Sequence, residues 1–360
     1  MSSDWTCTTE DILQNVTPLR QLNEQIAAAP AFLFKPGIAY RVRRNVNTDT
    51  PLPPEEPAGK NPPDGAIIDY TLQSAAPAAV KLQILDASGK IVRAFSSTDK
   101  PEATTEELGK ELNVPLYWIR PPQILSDAAG QHRFVWDLRT PPPASLRHEY
   151  PISAIVHDTP RLPVGPAVMP GVYTVKLEVA GQTFSQPLEI KMDPRITAPV
   201  DQLDQQFRLA SRICDAMNST FASLAQVRAV RSQLRDLAHQ APKGEIADAI
   251  RALEEKVAPF EEAAAGSGPA AHQQTFAQLN SQFAQLLAVV DGADAAPTQT
   301  AQDTNGDLQR SVTALQTQWD DLKARDVNTL NDQLRRANLP TINLAATLDP
   351  EQETEGDDEP

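Results

Sequence analysis

The side chains best able to carry chemistry are five histidines, His132, His148, His157, His239 and His272, and two cysteines, Cys7 and Cys214. A metal site built on one helix needs two imidazoles about a turn apart. No two of these histidines stand at the i, i+4 spacing, and there is no Cys-x-x-Cys pair. His148 and His157, beside Glu149 and Asp158, are the one cluster with the residue types for ligation or acid–base work, and a solvated loop is the expected setting. A serine nucleophile would need a Gly-x-Ser-x-Gly elbow, which is absent; Gly266-Ser267-Gly268 reads as a helix breaker. Gly59-Lys60, Gly89-Lys90 and Gly109-Lys110 are each followed by a residue that does not complete a phosphate-cradling loop. The carboxylate pairs Asp320-Asp321 and Glu254-Glu255 fall in helical patterns, where adjacent residues point apart, so solvated faces are expected. The sequence therefore assigns no catalytic, cofactor-binding or metal-binding residue and asks for no cofactor.

Aromatic rings stack on sugar faces, which makes Tyr117-Trp118 and Trp136 the candidates for carbohydrate contact. Trp136 alternates with Phe134, the mark of a core-facing strand position, and Trp118 is expected to pack under an insertion. Aromatic residues make up only 5% of the chain, few for an exposed platform. Two distant thiols exclude a disulfide framework.

These residues need elements to position them, and the chain supplies two kinds. The first part, ending at Pro199, holds most of the 32 prolines. Within it Ile68, Tyr70 and Leu72 alternate, as do Val80, Leu82 and Ile84, followed by Ile91 to Phe95, Phe134 with Trp136, the run Tyr173 to Val179, and Phe184 to Met192. Period-two patterning predicts strands with one packed and one solvated face. Ser96 to Leu125 and Arg139 to Met169 interrupt that meander as long insertions, the kind of loop that often contacts another module. Beyond Pro199 the period changes. Leu203, Phe207, Ala210, Cys214, Met217, Phe221 and Leu224, continuing to Leu237, recur every three or four residues and predict one helix of nearly forty residues. Further stripes begin at Ile246, Phe276 and Leu308, and Asp326 to Ala337 forms a short additional helix. Helices with one apolar stripe bury it by packing antiparallel.

The expected fold class is α+β and multidomain, an immunoglobulin- or fibronectin-III-like β-sandwich followed by an antiparallel helical bundle. The expected boundaries are an extended proline-rich lead-in over 1–65 with a short helix or strand remnant, the sandwich with its two insertions over 66–195, a four-helix bundle over 198–340, and a disordered acidic tail over 345–360. The net charge of −15 argues against nucleic acid and anionic lipid as partners. No run of about 18 apolar residues is present to span a membrane, and the first residues carry no secretory leader pattern.

The order of several motifs carries a resemblance. Thr17-Pro18-Leu19-Arg20-Gln21, Leu33-Phe34-Lys35-Pro36 with Tyr40-Arg41, Asn47 to Pro57, Asn61 to Tyr70, and His132 to Arg139 resemble the C-terminal region of bacterial sortilin-like β-propeller proteins, often labelled BNR-repeat proteins or glycosyl hydrolases. Pro170-Gly171-Val172-Tyr173 through Met192-Asp193-Pro194-Arg195 and the helices that follow look like the same family's sandwich and terminal bundle. The resemblance implies a non-catalytic accessory module whose partner is a β-propeller domain or another polypeptide. It also implies a largely exported family, and it brings glycoside hydrolase and carbohydrate-binding module as the alternatives. Family propellers carry Asp-box repeats; the nearest string here, Ser126-Asp127-Ala128-Ala129-Gly130, lacks the Thr-Trp ending, so no catalytic residue carries over.

Overall fold

A computed structural model describes residues 16–43, 63–101, 104, 108, 112, 114–151, 158–241, 244–261 and 274–348. Cys7, His157, His272, the proline-rich 45–62 stretch, the Gly266–Pro269 break and the acidic residues from 349 onward lie outside them. The chain is mixed α and β and divides into two compact units, one of residues 1–141 and 149–198, the other of 142–148 and 199–360.

In the first unit, two short helices, α1 (Thr17–Gln21) and α2 (Glu24–Ala28), precede eight strands. These are β1 (Ala31–Leu33), β2 (Ala39–Arg41), β3 (Ala66–Leu72), β4 (Lys81–Leu85), β5 (Ile91–Ser96), β6 (Gly130–Trp136), β7 (Gly171–Val179) and β8 (Gln182–Met192). They form a three-stranded sheet in the order β1-β3-β6 and a five-stranded sheet in the order β2-β8-β7-β4-β5. All pairings are antiparallel except β2 with β8, which is parallel. The part expected as a lead-in thus gives a strand to each sheet. The sheet switch falls at Phe34 to Ile38, where Pro36 lacks the N–H a continuing ladder needs.

Alternation sets the core. Ile68, Tyr70 and Leu72 of one sheet and Leu82, Ile84, Val175, Leu177, Leu188 and Ile190 of the other belong to one buried cluster, with Phe134 and Trp136 inside it. Full burial of each aliphatic side chain contributes about 1.5–3 kcal/mol. Asp69, between Ile68 and Tyr70, points to the opposite face of the sheet yet is buried, and Arg133, its direct cross-strand partner, donates Nε–H to it at 3.0 Å. Gly65 immediately precedes β3 at φ +133°; a Cβ there would stand 2.0 Å from the Trp136 carbonyl oxygen, so only glycine permits that approach.

The second unit is built on α3 (Val200–Gln240), 41 residues long and about 60 Å from end to end. Pro199 precedes its first turn, and Pro242 follows its C-cap, Ala241. The other helices are α4 (Glu245–Val257), extended by a 3-10 turn Ala258–Phe260, α5 (Phe276–Val290), α6 (Gln299–Leu322) and α7 (Asn328–Arg336). A capping box of Thr275 and Gln278 opens α5, and the Thr298 hydroxyl opens α6 by accepting from Ala301 N–H. The sequence suggests a separate short helix over 326–337; instead α6 runs through a π-helical turn, Lys323–Val327, into α7. One buried cluster links the five helices, with Met217, Phe260, Phe283 and Trp319 among its members. Residues 142–148, expected within an insertion of the sandwich, count with this helical unit.

Candidate interaction surface

Several described residues of the two insertions are tied down. Ile119 bridges to Thr159, so the first insertion pairs with the second, and Glu149 bridges to Leu162 and Arg139 to Ala167 within the second. Side chains complete the pinning by bonding to main-chain carbonyls. Trp136 donates its indole N–H to Arg139 O (2.9 Å), Arg139 donates to Gly165 O (2.8 Å), Arg41 to Val168 O (3.0 Å) and Tyr173 to Met169 O (2.7 Å). Arg120 donates twice to Asp158 (3.0 and 2.7 Å) and once to Asp64 (3.3 Å).

The residues weighed for chemistry separate. His148 sits in the segment that joins the helical unit, and His157 lies outside the described residues. The His132 ring nitrogen Nε2 bonds to the Ala128 carbonyl at 2.7 Å, and the ring packs beside Tyr70. Trp136 is fully buried and Trp118 is half-buried, packed on the small cluster of Leu108, Val114 and Ile119. Glu254, expected on a solvated face, instead accepts from Arg231 at 2.8 Å; Arg231 also reaches Glu261 at 2.6 Å, as does Arg228. Sequence spacing hides this network, because its members lie on α3 and on the helix pair some 30 residues later. Among the described residues no three His, Cys, Asp or Glu side chains gather as a metal-holding group.

Shifted titrations follow structural causes. Burial pushes the Tyr70 hydroxyl up to about 12 while it bonds both the N–H (2.8 Å) and the C=O (2.6 Å) of Ser126; burial likewise lifts Tyr173 to about 12. Burial, with the charges of Asp215 and Asp291, lifts the Cys214 thiol to about 12. Arg195 bonds the Asp193 carboxylate through two nitrogens and a backbone N–H, holding it at about 2. For the phenols and the thiol the folded values exceed the unfolded ones, so protonation favours the native state. That contribution is complete below about pH 9 and is lost as pH rises toward 12. The urea midpoint should therefore fall steadily above pH 9, and Tyr70→Phe combined with Cys214→Ala should flatten the fall. An unchanged slope in the double variant would contradict the assignment.

What stands open is one face of the five-stranded sheet. Ile91 lies opposite Leu85, Leu85 opposite Thr174, and Thr174 opposite Pro187; in the next row Val172 faces Glu189, and Tyr40 on the edge strand faces Lys191. Ile91, Val172 and Tyr40 are 48%, 60% and 47% exposed, whereas their strand neighbours Ala39, Tyr173 and Arg41 turn inward. An apolar patch of Ile91, Leu85, Pro187 and Val172 thus crosses the outer face, and the Glu189–Lys191 pair at 3.4 Å stands between it and Tyr40. Exposed contiguous apolar surface rimmed by charge is the usual signature of a contact surface. A half-open hollow of about 310 Å³ lies near the β7–β8 turn, lined by Lys81, Glu178, Gly181 and Thr183; its one charge pair leaves little net field for an ion.

Among the described residues no helix is long and apolar enough to cross a membrane. The chain matches no family model, no curated protein and no solved structure.

Proposed function

We propose that this chain is a non-catalytic accessory module of the sortilin-like, BNR-repeat kind, which packs against a β-propeller domain or a polypeptide that supplies one. In this reading the two sheets sharing one core are an immunoglobulin-like sandwich, the helices around α3 are an antiparallel bundle, and the exported setting of the family is the expected one. The order of sequence motifs supports the family. The observation that carries the interaction role is the apolar patch of Ile91, Leu85, Pro187 and Val172 on the outer sheet face, with exposed Tyr40 beyond the Glu189–Lys191 pair. The tied-down residues of the insertions support it as well, since arginines, tyrosines and Trp136 are engaged in holding main chain in place.

The test is calorimetric titration of the purified chain with a separately expressed BNR-repeat propeller of the sortilin-like class. Association is expected, weakened at least about tenfold by Tyr40→Asp with Val172→Asp, because each buries an unpaired charge at the contact. Both positions are exposed, so the variant should fold normally. Association unaffected by the variant, or none at all, overturns the reading. Turnover of a sialoside or other glycoside by the purified chain would replace it with the hydrolase alternative.

A further inference from the structure

Residues 142–148 form neither helix nor strand and lie against α3 and α5. Asn218 accepts the Ala144 N–H at 2.7 Å, Asn280 accepts the Leu146 N–H at 3.2 Å, and Asn280 Nδ2 donates to Ala144 O at 3.1 Å. Asn280 is fully buried and also donates to Met217 O and to the Thr220 hydroxyl. Pro143 and Ser145 are buried, and Leu146 packs against the helical core. Three main-chain groups are therefore read by two carboxamides, and Pro143 and Ser145 are buried at alternate positions. The unit repeats the device elsewhere. Asn331 bonds both the N–H and the C=O of Ile342, Gln233 does the same for Asn343, and Gln226 donates to Leu344 O.

We propose that the cleft formed by Asn218, Thr220 and Asn280 is a peptide-docking site, occupied in cis by residues 142–148, and that its ligand class is an extended, uncharged, proline-led segment with the Pro-Ala-Ser-Leu pattern of 143–146. Recognition through main-chain atoms tolerates different side chains, and prolines lower the entropy lost on docking. The segment's bonds to the cleft go to side chains, so its departure breaks no helical hydrogen bond there. Once it leaves, the fully buried Asn280 loses two partners, an expensive state that a second peptide relieves. This inference stands apart from the propeller reading, which concerns the other unit.

In the test a fluorescently labelled peptide of the 140–149 sequence is titrated onto two full-length proteins. One is unaltered; in the other, residues 142–148 are replaced by seven alternating glycines and serines. A tethered segment competes at an effective concentration near the millimolar range, so the replaced chain should bind at least about tenfold more tightly than the unaltered one. Asn280→Ala added to the replaced chain should abolish binding. Equal binding to both proteins, or none to a folded replaced chain, overturns the proposal. A measurement on the unaltered chain covers the case in which the replacement fails to fold. Hydrogen exchange at Ala144 and Leu146 should be faster than at Met217 and Leu224 in α3, reporting a segment that opens by itself. Exchange of all four only by global unfolding sinks the idea.

Discussion

Trp136→Ala is expected to lower the stability of the sheet-bearing unit by about 3–5 kcal/mol, the range for deleting a buried large aromatic side chain. Trp136 is 0% exposed, stands edge-on to Tyr173 with 6.0 Å between ring centres, and ends β6 directly opposite Ala66. Its loss opens a cavity between two sheets and also removes the indole bond to the carbonyl of Arg139, whose guanidinium holds Gly165. Trp136→Phe separates the two effects. It keeps most of the buried ring and loses the hydrogen bond, so about 1–2 kcal/mol is expected. Urea unfolding followed by circular dichroism provides the measurement, and limited proteolysis within 139–169 reports the loosened insertion. An alanine variant within 1 kcal/mol of the parent would show that the indole does not tie the insertion to the core.

Glu261→Gln should cost about 3 kcal/mol in the helical unit, the lower end for breaking a buried ion pair. Its carboxylate accepts from Arg228 and Arg231 at 2.6 Å each, and the three side chains are only 12–13% exposed. Neutralising it removes the carboxylate that both guanidiniums hold, while Arg231 keeps Glu254 at 2.8 Å. The control is Lys256→Ala, which removes a pair with Asp326 whose lysine is 58% exposed; such pairs contribute about 0–1 kcal/mol. Replacing Arg228, Arg231, Glu254 and Glu261 together by apolar residues of similar size should recover much of the loss, because the paired charges then leave together. Comparable denaturation midpoints for Glu261→Gln and Lys256→Ala would rule out the network as a buried one.

Legibility in the sequence followed the range of the forces involved. Val80, Leu82 and Ile84 declare a strand by alternation, and the Leu203 to Leu237 periodicity declares the 41-residue helix, since both patterns are local and dominated by burial. Three features escaped. β1 and β2 have three residues each, too few for a period to show. Residues 142–148 carry no period at all, and what fixes them is a pair of asparagines more than 70 positions away. Glu254 looked like a solvated carboxylate because its partner, Arg231, lies on another helix. The outer patch was equally hidden, since Ile91 and Val172 fall on solvent-facing positions and become neighbours only through strand order.

The parallel pairing of β2 with β8 also bears on how the chain is made. Ala39 meets Ile190, 151 positions further along the chain. At ribosomal speeds of about 5–20 residues per second, β2 waits on the order of 8–30 s for the strand it joins. Throughout that interval the nascent polypeptide displays an unclaimed β-segment, which makes translation through the β7–β8 region the moment at which the first unit can close.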